Sequence, residues 1–458
     1  MRSKLFFTAL VFISALLYFG TVNAQQRHWK ELVSGTSVNL LSVSAPDDNV
    51  AWVAGPGGTV LRTKNNGKHW RDVSISPAGD LLSIYAINKK IALVTGYDED
   101  WNNNHRTSVY RTVNGGKNWQ KVLQSEPEGY LNAFTFFDDD NGILYGDPVL
   151  SDVVGMFWEI YKTSDGGATW TAIEHPPAQL GNCWGWRNAM THVGNTVFFG
   201  TTLFDNNNNF GPDARIYKST DRGETWTYTT TPGVVQVNSI QFIDSLTGYA
   251  GGAKTTNGGA TWFQMNDPFG GTLNQYIHSV TGTDNKIWVT GIIRSGNNRN
   301  SPWVNSIQVF YSTNRGNTWT LDYTATSGTP NEVRISDNER GEKVLYLIRN
   351  NGKIATKDVK GHCGNLPEQN ETISGFIENY PNPFNPTTTI NYQIPTSGLV
   401  SIKVYDMLGR EVATLVNEVK TEGIHTIQWN ASGFSSGTYF YRIQTENFSE
   451  IKKMILIK

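Results

Sequence analysis

Thr63-Lys-Asn65-Asn-Gly67-Lys-His-Trp70 is the stretch on which the reading of this 458-residue chain turns, because it returns five more times. The later copies are Thr112-Val-Asn114-Gly-Gly116-Lys-Asn-Trp119, Thr163-Ser-Asp165-Gly-Gly167-Ala-Thr-Trp170 and Ser219-Thr-Asp221-Arg-Gly223-Glu-Thr-Trp226. Thr255-Thr-Asn257-Gly-Gly259-Ala-Thr-Trp262 and Ser312-Thr-Asn314-Arg-Gly316-Asn-Thr-Trp319 complete the set. The rule is Ser/Thr, then Asp/Asn two residues on, Gly four on and Trp seven on. Agreement at fixed positions in every copy marks a repeat protein.

Each residue type has a physical reason for its place. An Asp or Asn oxygen accepts hydrogen bonds from backbone N–H groups ahead of it and closes a turn, as a Ser/Thr hydroxyl also does. Gly tolerates positive φ where the chain reverses. Trp buries a large ring at the start of the next strand. The flanks Thr59-Val-Leu-Arg62, Glu159-Ile-Tyr-Lys162 and Arg215-Ile-Tyr-Lys218 read as strands, as does Trp170-Thr-Ala-Ile173. The motif is therefore a turn between two strands, and its Asn65, Asn114, Asp165, Asp221, Asn257 and Asn314 are structural.

A second pattern lies between the turns: an apolar strand, an acidic or Gly turn, then a strand ending near Gly. Leu41 to Gly55, Asn132 to Gly146 and Ser239 to Gly251 follow it. Two hairpins per repeat make a four-stranded unit, and such units recurring every forty to fifty residues are propeller blades. The Trp positions 70, 119, 170, 226, 262 and 319 give six blades. A seventh has three strands, near Asn331, Lys343 and Lys353, and Trp29-Lys-Glu-Leu-Val33 is expected to add its outer strand and close the ring. Six or eight blades is the alternative count.

The repeat is identified as the Asp-box, or BNR repeat. Residues 28–360 resemble the Asp-box propellers, which include sialidases, xyloglucan-type endoglucanases, sortilin-type receptors and photosystem II assembly factors. The Gly-Gly-x-x-Trp copies look most like the last group. The resemblance implies a propeller but no one function, because these families differ in what they do.

Before the propeller, Arg2 and Lys4 precede the apolar run Leu5 to Phe19, and Val22-Asn-Ala24 offers small residues for cleavage. This reads as a signal peptide over residues 1–24, cut between Ala24 and Gln25. The run is shorter than the ~20 residues a spanning helix needs, and no other stretch suits one, so no transmembrane segment is expected. A net charge of −2 gives no case for a nucleic-acid partner. The chain holds two cysteines and no metal-ligand or cofactor fingerprint, so neither metal nor cofactor is expected. Cys183 and Cys363 fall on opposite faces of the wheel on this reckoning and are not expected to pair.

Residues 25–360 thus form the expected seven-bladed β-propeller, and 361–372 read as a polar linker. Residues 373–458 read as a small antiparallel β-sandwich, with strands at 387–394, 400–405, 411–415, 423–429, 438–444 and 452–457. The whole chain is all-β. Glu378-Asn-Tyr-Pro-Asn-Pro-Phe-Asn-Pro386, Val404-Tyr-Asp-Met-Leu-Gly-Arg-Glu411, Gly437-Thr-Tyr-Phe-Tyr441 and Lys452-Lys-Met-Ile-Leu-Ile-Lys458 resemble the C-terminal sorting domain of type IX secretion. That resemblance implies the type IX machinery and its sortase as partners, cleavage within 360–375, and a secreted or surface-held product.

A propeller carries its functional loops on the face opposite the repeated turns. Long connections are expected there at Tyr97–Thr107, Asp147–Trp158, Phe204–Ala214 and Arg294–Asn305, joined by Cys183-Trp-Gly-Trp-Arg187. They gather Trp101, Trp158, Trp184, Trp186, Arg187 and Trp303, with Asp98 and other carboxylates and many Asn residues, into a candidate ligand face. Aromatic faces with amide edges suit a polysaccharide, and they suit a surface protein as well. A competing reading has half of these aromatics packing only their own loops. For catalysis, a glycosidase needs two carboxylates ~5–10 Å apart. Asp147 and Asp205 are candidates, but no spacing singles out a pair. The sialidase Phe/Tyr-Arg-Ile-Pro segment is absent before the first turn. The leading expectation is a binding propeller; a glycoside hydrolase on the same face and an envelope assembly factor are the alternatives.

Overall fold

The computed structural model describes all residues except 1–28, 48, 99–104, 152–154, 206–209, 212, 267, 270–276, 284–285, 296–303, 326–327, 337–341, 361–375, 381, 395–396, 422 and 447–448. The signal-peptide reading with Ala24 and Gln25, the linker 361–372, and Trp101, Trp303 and Cys363 fall outside the described residues.

Among the described residues every regular element is a strand. The chain divides into two compact units, 1–363 and 364–458. Among the described residues the first contains seven four-stranded antiparallel sheets. Their innermost strands are Ser42–Ser44, Leu81–Ala86, Leu131–Phe136, Asn182–Val193, Ile240–Phe242, Ile277–Thr283 and Pro330–Ile335. Each lies against the innermost strand of the next sheet, and Pro330–Ile335 lies against Ser42–Ser44, so the series closes into a wheel. Hydroxyls and the Glu332 carboxylate bridge the seams. The Ile84 N–H donates to Ser42 Oγ at 3.1 Å and the Ala86 N–H to Ser44 Oγ at 2.9 Å. The Ile335 N–H donates to Thr281 Oγ1 at 3.1 Å, and the Val43 N–H to Glu332 Oε2 at 2.8 Å. Small polar residues on strands that are otherwise apolar thus satisfy donors that blade splaying would leave unpaired.

The seventh sheet is the one that needs both ends of the propeller segment. Trp29–Val33 pairs antiparallel with Lys353–Lys360, with Trp29 opposite Lys357 and Val33 opposite Lys353, as the sequence predicts. One buried carboxylate fastens the seam to the sixth blade. Asp322 Oδ2 accepts from Trp29 Nε1 at 3.1 Å and from Trp288 Nε1 at 3.2 Å, while Oδ1 accepts from Lys357 Nζ. Trp29 also stacks on Tyr323 at 5.1 Å.

The six repeated turns are built alike. In the first, Thr63 Oγ1 donates to Asn65 Oδ1 at 3.0 Å and accepts from the Gly67 N–H at 3.0 Å, while Asn65 Oδ1 accepts from the His69 N–H at 2.9 Å. The third repeats this with Thr163, Asp165, Gly167 and Thr169 at 2.9 Å throughout. The Gly sits at φ 79° in the first turn and 78° in the third. A Cβ on Gly67 would stand 2.5 Å from Leu32 Cδ1, and one on Gly167 2.4 Å from Leu93 Cδ2, so the glycine also lets the turn close onto the preceding blade.

Asn serves at four of the six positions with the same bonds, so the oxygen matters and the charge does not. The two aspartates add a pH dependence. Burial alone would raise them, but the hydrogen bonds each accepts carry Asp165 and Asp221 from 3.8 down to about 2. A depressed carboxylate stabilises the fold above its unfolded value and loses that contribution as pH falls through its folded value. Wild type should therefore lose stability between pH 3.8 and about 2, and Asp165→Asn with Asp221→Asn should flatten that decline in an acid-unfolding titration. An unchanged profile would show that these two turns do not contribute to it.

The second unit is a sandwich of a three-stranded sheet (Phe376–Tyr380, Thr387–Ile394, Gly423–Asn430) and a four-stranded one (Glu411–Lys420, Gly398–Tyr405, Gly437–Gln444, Ser449–Leu456). Its first strand, Phe376–Tyr380, goes beyond the sequence reading. Ile377, Ile390 and Tyr392 from one sheet pack with Val404, Tyr441 and Met454 from the other. The four quoted segments meet in pairs. Val404 stands opposite Tyr441, and the Phe384 backbone exchanges hydrogen bonds of 2.9 Å with Ile455 and Ile457.

Candidate functional site

A cleft of about 510 Å³ opens between the third and fourth blades, on the face away from the repeated turns. Its walls come from the starts of the inner strands Leu131–Phe136 and Asn182–Val193 and from the far ends of the strands that follow them. Tyr130, Trp184, Trp186 and Phe204 supply aromatic surface. Asn132, Asn182, Thr202, Asp147 and Arg187 supply polar edges. Trp184 and Trp186 remain 39% and 36% exposed, unusual for indoles, and stand beside the cleft.

Hydrogen bonds pin the wall 182–188 along its length. Trp184 Nε1 donates to Asn182 Oδ1 at 2.7 Å, and the Gly185 N–H to Asp147 Oδ1 at 2.7 Å. Tyr145 Oη donates to the Trp186 carbonyl at 2.7 Å and accepts from the Trp186 N–H at 3.1 Å. A side chain at 185 would displace Asn132 and Asp147, since a Cβ there would lie 2.4 Å from Asn132 Nδ2 and 2.8 Å from Asp147 Oδ1. Past Gly185 the strand leaves its register, regaining it at Met190. Asn188, at φ 64°, reaches across to three other blades. Its Oδ1 accepts from Ser42 Oγ and Ser83 Oγ at 2.9 Å each. Its Nδ2 donates to the Leu41 carbonyl at 3.3 Å and to Glu332 Oε2 at 3.2 Å. The cleft wall is thereby anchored to the first, second and seventh blades, a preorganised surface.

Two groups in the cleft are electrostatically unusual. Burial raises the Asp147 carboxyl, and bonds from Asn132 Nδ2 at 2.9 Å and the Gly185 N–H hold it back, leaving it at about 7. Glu159 adds a smaller upward push. The Arg187 guanidinium is half-buried, and desolvation lowers its affinity for a proton while Tyr130, Glu332 and Tyr97 partly restore it. It lies over the Trp186 ring at 5.9 Å. Among the described residues that line the cleft, Asp147 is the single carboxylate.

The structure brings Asp147, Trp184, Trp186 and Arg187 together and separates other candidates from them. Trp158 is fully buried and packs on Tyr145, Phe199 and Tyr217 in the core, so its placement on the ligand face is corrected. The expected connection from Asp147 to Trp158 is largely a hairpin, with strands Gly142–Ser151 and Gly155–Thr163, and Trp158 shares the core-facing side of its strand with Ile160, two residues on. Asp98 is likewise buried and bonded to Ser108 Oγ, Lys121 Nζ and Gln124 Nε2, a structural cluster. Asp205 is exposed one residue beyond Phe204 and does not line the cleft. Cys183 is a free, buried thiol, which burial pushes up. Tyr130, Asn132, Asn182 and Asn188 were not singled out by sequence. Only the Gly185 between two tryptophans hinted at a tight wall.

Comparison with known proteins separates the two units. Residues 378–458 match the family described as the secretion system C-terminal sorting domain, so the tail is a type IX sorting domain. A xyloglucanase from a Paenibacillus species is 29% identical over 123 residues, 26% of this chain and 12% of that protein. The photosystem II assembly lipoprotein Ycf48 of Synechococcus sp. (strain CC9902) is 25% identical over 158 residues, 32% of this chain and 41% of that protein. The chain thus spans less than half the length of either relative. Among solved structures, the GH74 enzyme of Niastella koreensis superposes with a TM-score of 0.50 at 14% identity, covering 94% of this chain and 75% of that one. YCF48 bound to D1 peptide gives a TM-score of 0.49 at 16% identity, covering 72% of this chain and 94% of that one. At such identities the likeness is one of fold. Among the described residues no helix is long and apolar enough to cross a membrane.

Proposed function

We propose that this chain, which carries a secretion-system sorting domain at residues 378–458, is a binding propeller that holds a polysaccharide in the cleft between its third and fourth blades. The observation that carries the reading is the pair of exposed indoles, Trp184 and Trp186, set on a rigid wall beside the Asn132 and Asn182 amides. Sugar rings present apolar faces for stacking and hydroxyls for hydrogen bonding at their edges, and this arrangement offers both. A wall already fixed by Tyr145, Asp147 and Asn188 loses little freedom on binding.

The test is a glycan array followed by titration of the purified protein with any polysaccharide retained. Trp184→Ala and Trp186→Ala should each weaken binding by roughly tenfold or more, the scale of a truncated aromatic anchor. Retention that ignores both substitutions would place the ligand elsewhere.

A hydrolase remains the second reading, and one observation favours it. A carboxyl held at about 7 is suited to donate a proton near neutrality. It would need a second carboxylate within reach of the bond. Turnover of a bound polysaccharide that disappears in Asp147→Asn would establish that reading over simple binding.

A further inference from the structure

Arginines packed into this propeller generally have acceptors. Arg106 donates to the Ser125 carbonyl at 2.8 Å, Arg111 to the Gly166 carbonyl at 2.8 Å and Arg62 to the Gly115 carbonyl at 3.4 Å. Arg315 pairs with Asp244 at 3.1 Å, and Arg349 with Glu31. Arg187 differs. It lines the cleft, is half-buried and desolvated, and among the described residues makes no hydrogen bond or ion pair. Glu332, the carboxylate that influences it, is itself taken up by the Val43 N–H and Asn188 Nδ2. A half-buried guanidinium that faces the cleft with no protein acceptor is open to a bound anion, and its partial desolvation strengthens such a contact.

We propose that the sugar held in this cleft is acidic, and that Arg187 receives its carboxylate or sulfate while Trp184 and Trp186 take the ring. The inference rests on the polysaccharide reading above and narrows it to a class of ligand. The planar donor fork of a guanidinium matches either oxyanion, and the amide atoms of Asn132 and Asn182 not engaged with Asp147 and Trp184 are left for hydroxyls. Among the described residues that line the cleft, the charge opposed to an anion is Asp147. Its Oδ1 is already committed to Asn132 and Gly185, and burial leaves it only partly ionised at neutral pH.

The purified full-length protein is titrated with oligogalacturonate, a sulfated galactan and uncharged xyloglucan. The acidic sugars should bind more tightly than xyloglucan, and Arg187→Gln should weaken them about 10- to 100-fold, the worth of a charge-assisted hydrogen bond. Arg187→Lys should retain part of the affinity. Preference for oligogalacturonate assigns a uronate, and preference for the galactan a sulfate. Should Arg187→Gln fail to fold, the wild-type protein still decides: affinity for the acidic sugars should fall as salt rises from about 50 to about 500 mM, while affinity for xyloglucan stays level. Equal, salt-independent binding of acidic and neutral sugars overturns this inference and leaves the polysaccharide reading standing. Binding of acidic peptides with no glycan retained overturns both.

Discussion

Asp322→Ala should cost the propeller about 3–5 kcal/mol, the usual penalty for removing one partner of a buried ion pair. The Lys357 and Asp322 side chains are only 14% and 7% exposed. Removing the carboxylate strands the Lys357 ammonium away from water and leaves the indole N–H groups of Trp29 and Trp288 without their acceptor. These partners belong to the first strand, the sixth blade and the last strand of the wheel, so one substitution loosens the whole closure. Urea unfolding followed by intrinsic fluorescence should show a midpoint shift of matching size. Replacing both charges, as Asp322→Leu with Lys357→Met, should recover part of the loss, because no charge is then buried unpaired. A change below about 1 kcal/mol in Asp322→Ala would mean that the two ends of the propeller are held by strand pairing alone.

Removal of residues 364–458 should abolish delivery of the propeller to the cell surface or medium. The sorting-domain match is confined to this unit, which has its own two-sheet core. The segments that carry the match converge within it, with Phe384 bonded to the last strand and Val404 set against Tyr441. In the producing cell, the truncated chain should accumulate inside the outer membrane, judged by fractionation and immunoblotting. Residues 364–458 fused to a periplasmic reporter should carry it outward. Surface delivery of the truncated chain at wild-type levels would contradict the assignment of sorting to this tail.

Much of the fold was legible because its determinants are local. Each repeated turn closes its hydrogen bonds within an eight-residue window, so Ser/Thr, Asx, Gly and Trp must recur at fixed spacing, and the sequence displays them. The closing strand Trp29–Val33 was legible for a related reason, as a strand that looks like the partner of a turn but has no turn before it. The cleft was only partly legible. Trp184, Trp186, Arg187 and Asp147 stand out as residue types near one another, but the strands run further than the sequence suggests, and Trp158 falls in step with core Ile160. Asn188 was invisible because its partners Ser42, Ser83 and Glu332 lie 146, 105 and 144 residues away, brought near only by closure of the wheel.

Hydrogen–deuterium exchange of the protein with and without a retained polysaccharide tests the location of the ligand most directly. Binding in the cleft should slow exchange in the segments around Tyr130, Asn182 to Arg187 and Thr202 to Phe204, and leave the six repeated turns on the far face unchanged. Protection confined to those turns or to the sorting domain, with 182–187 exchanging as before, would contradict it.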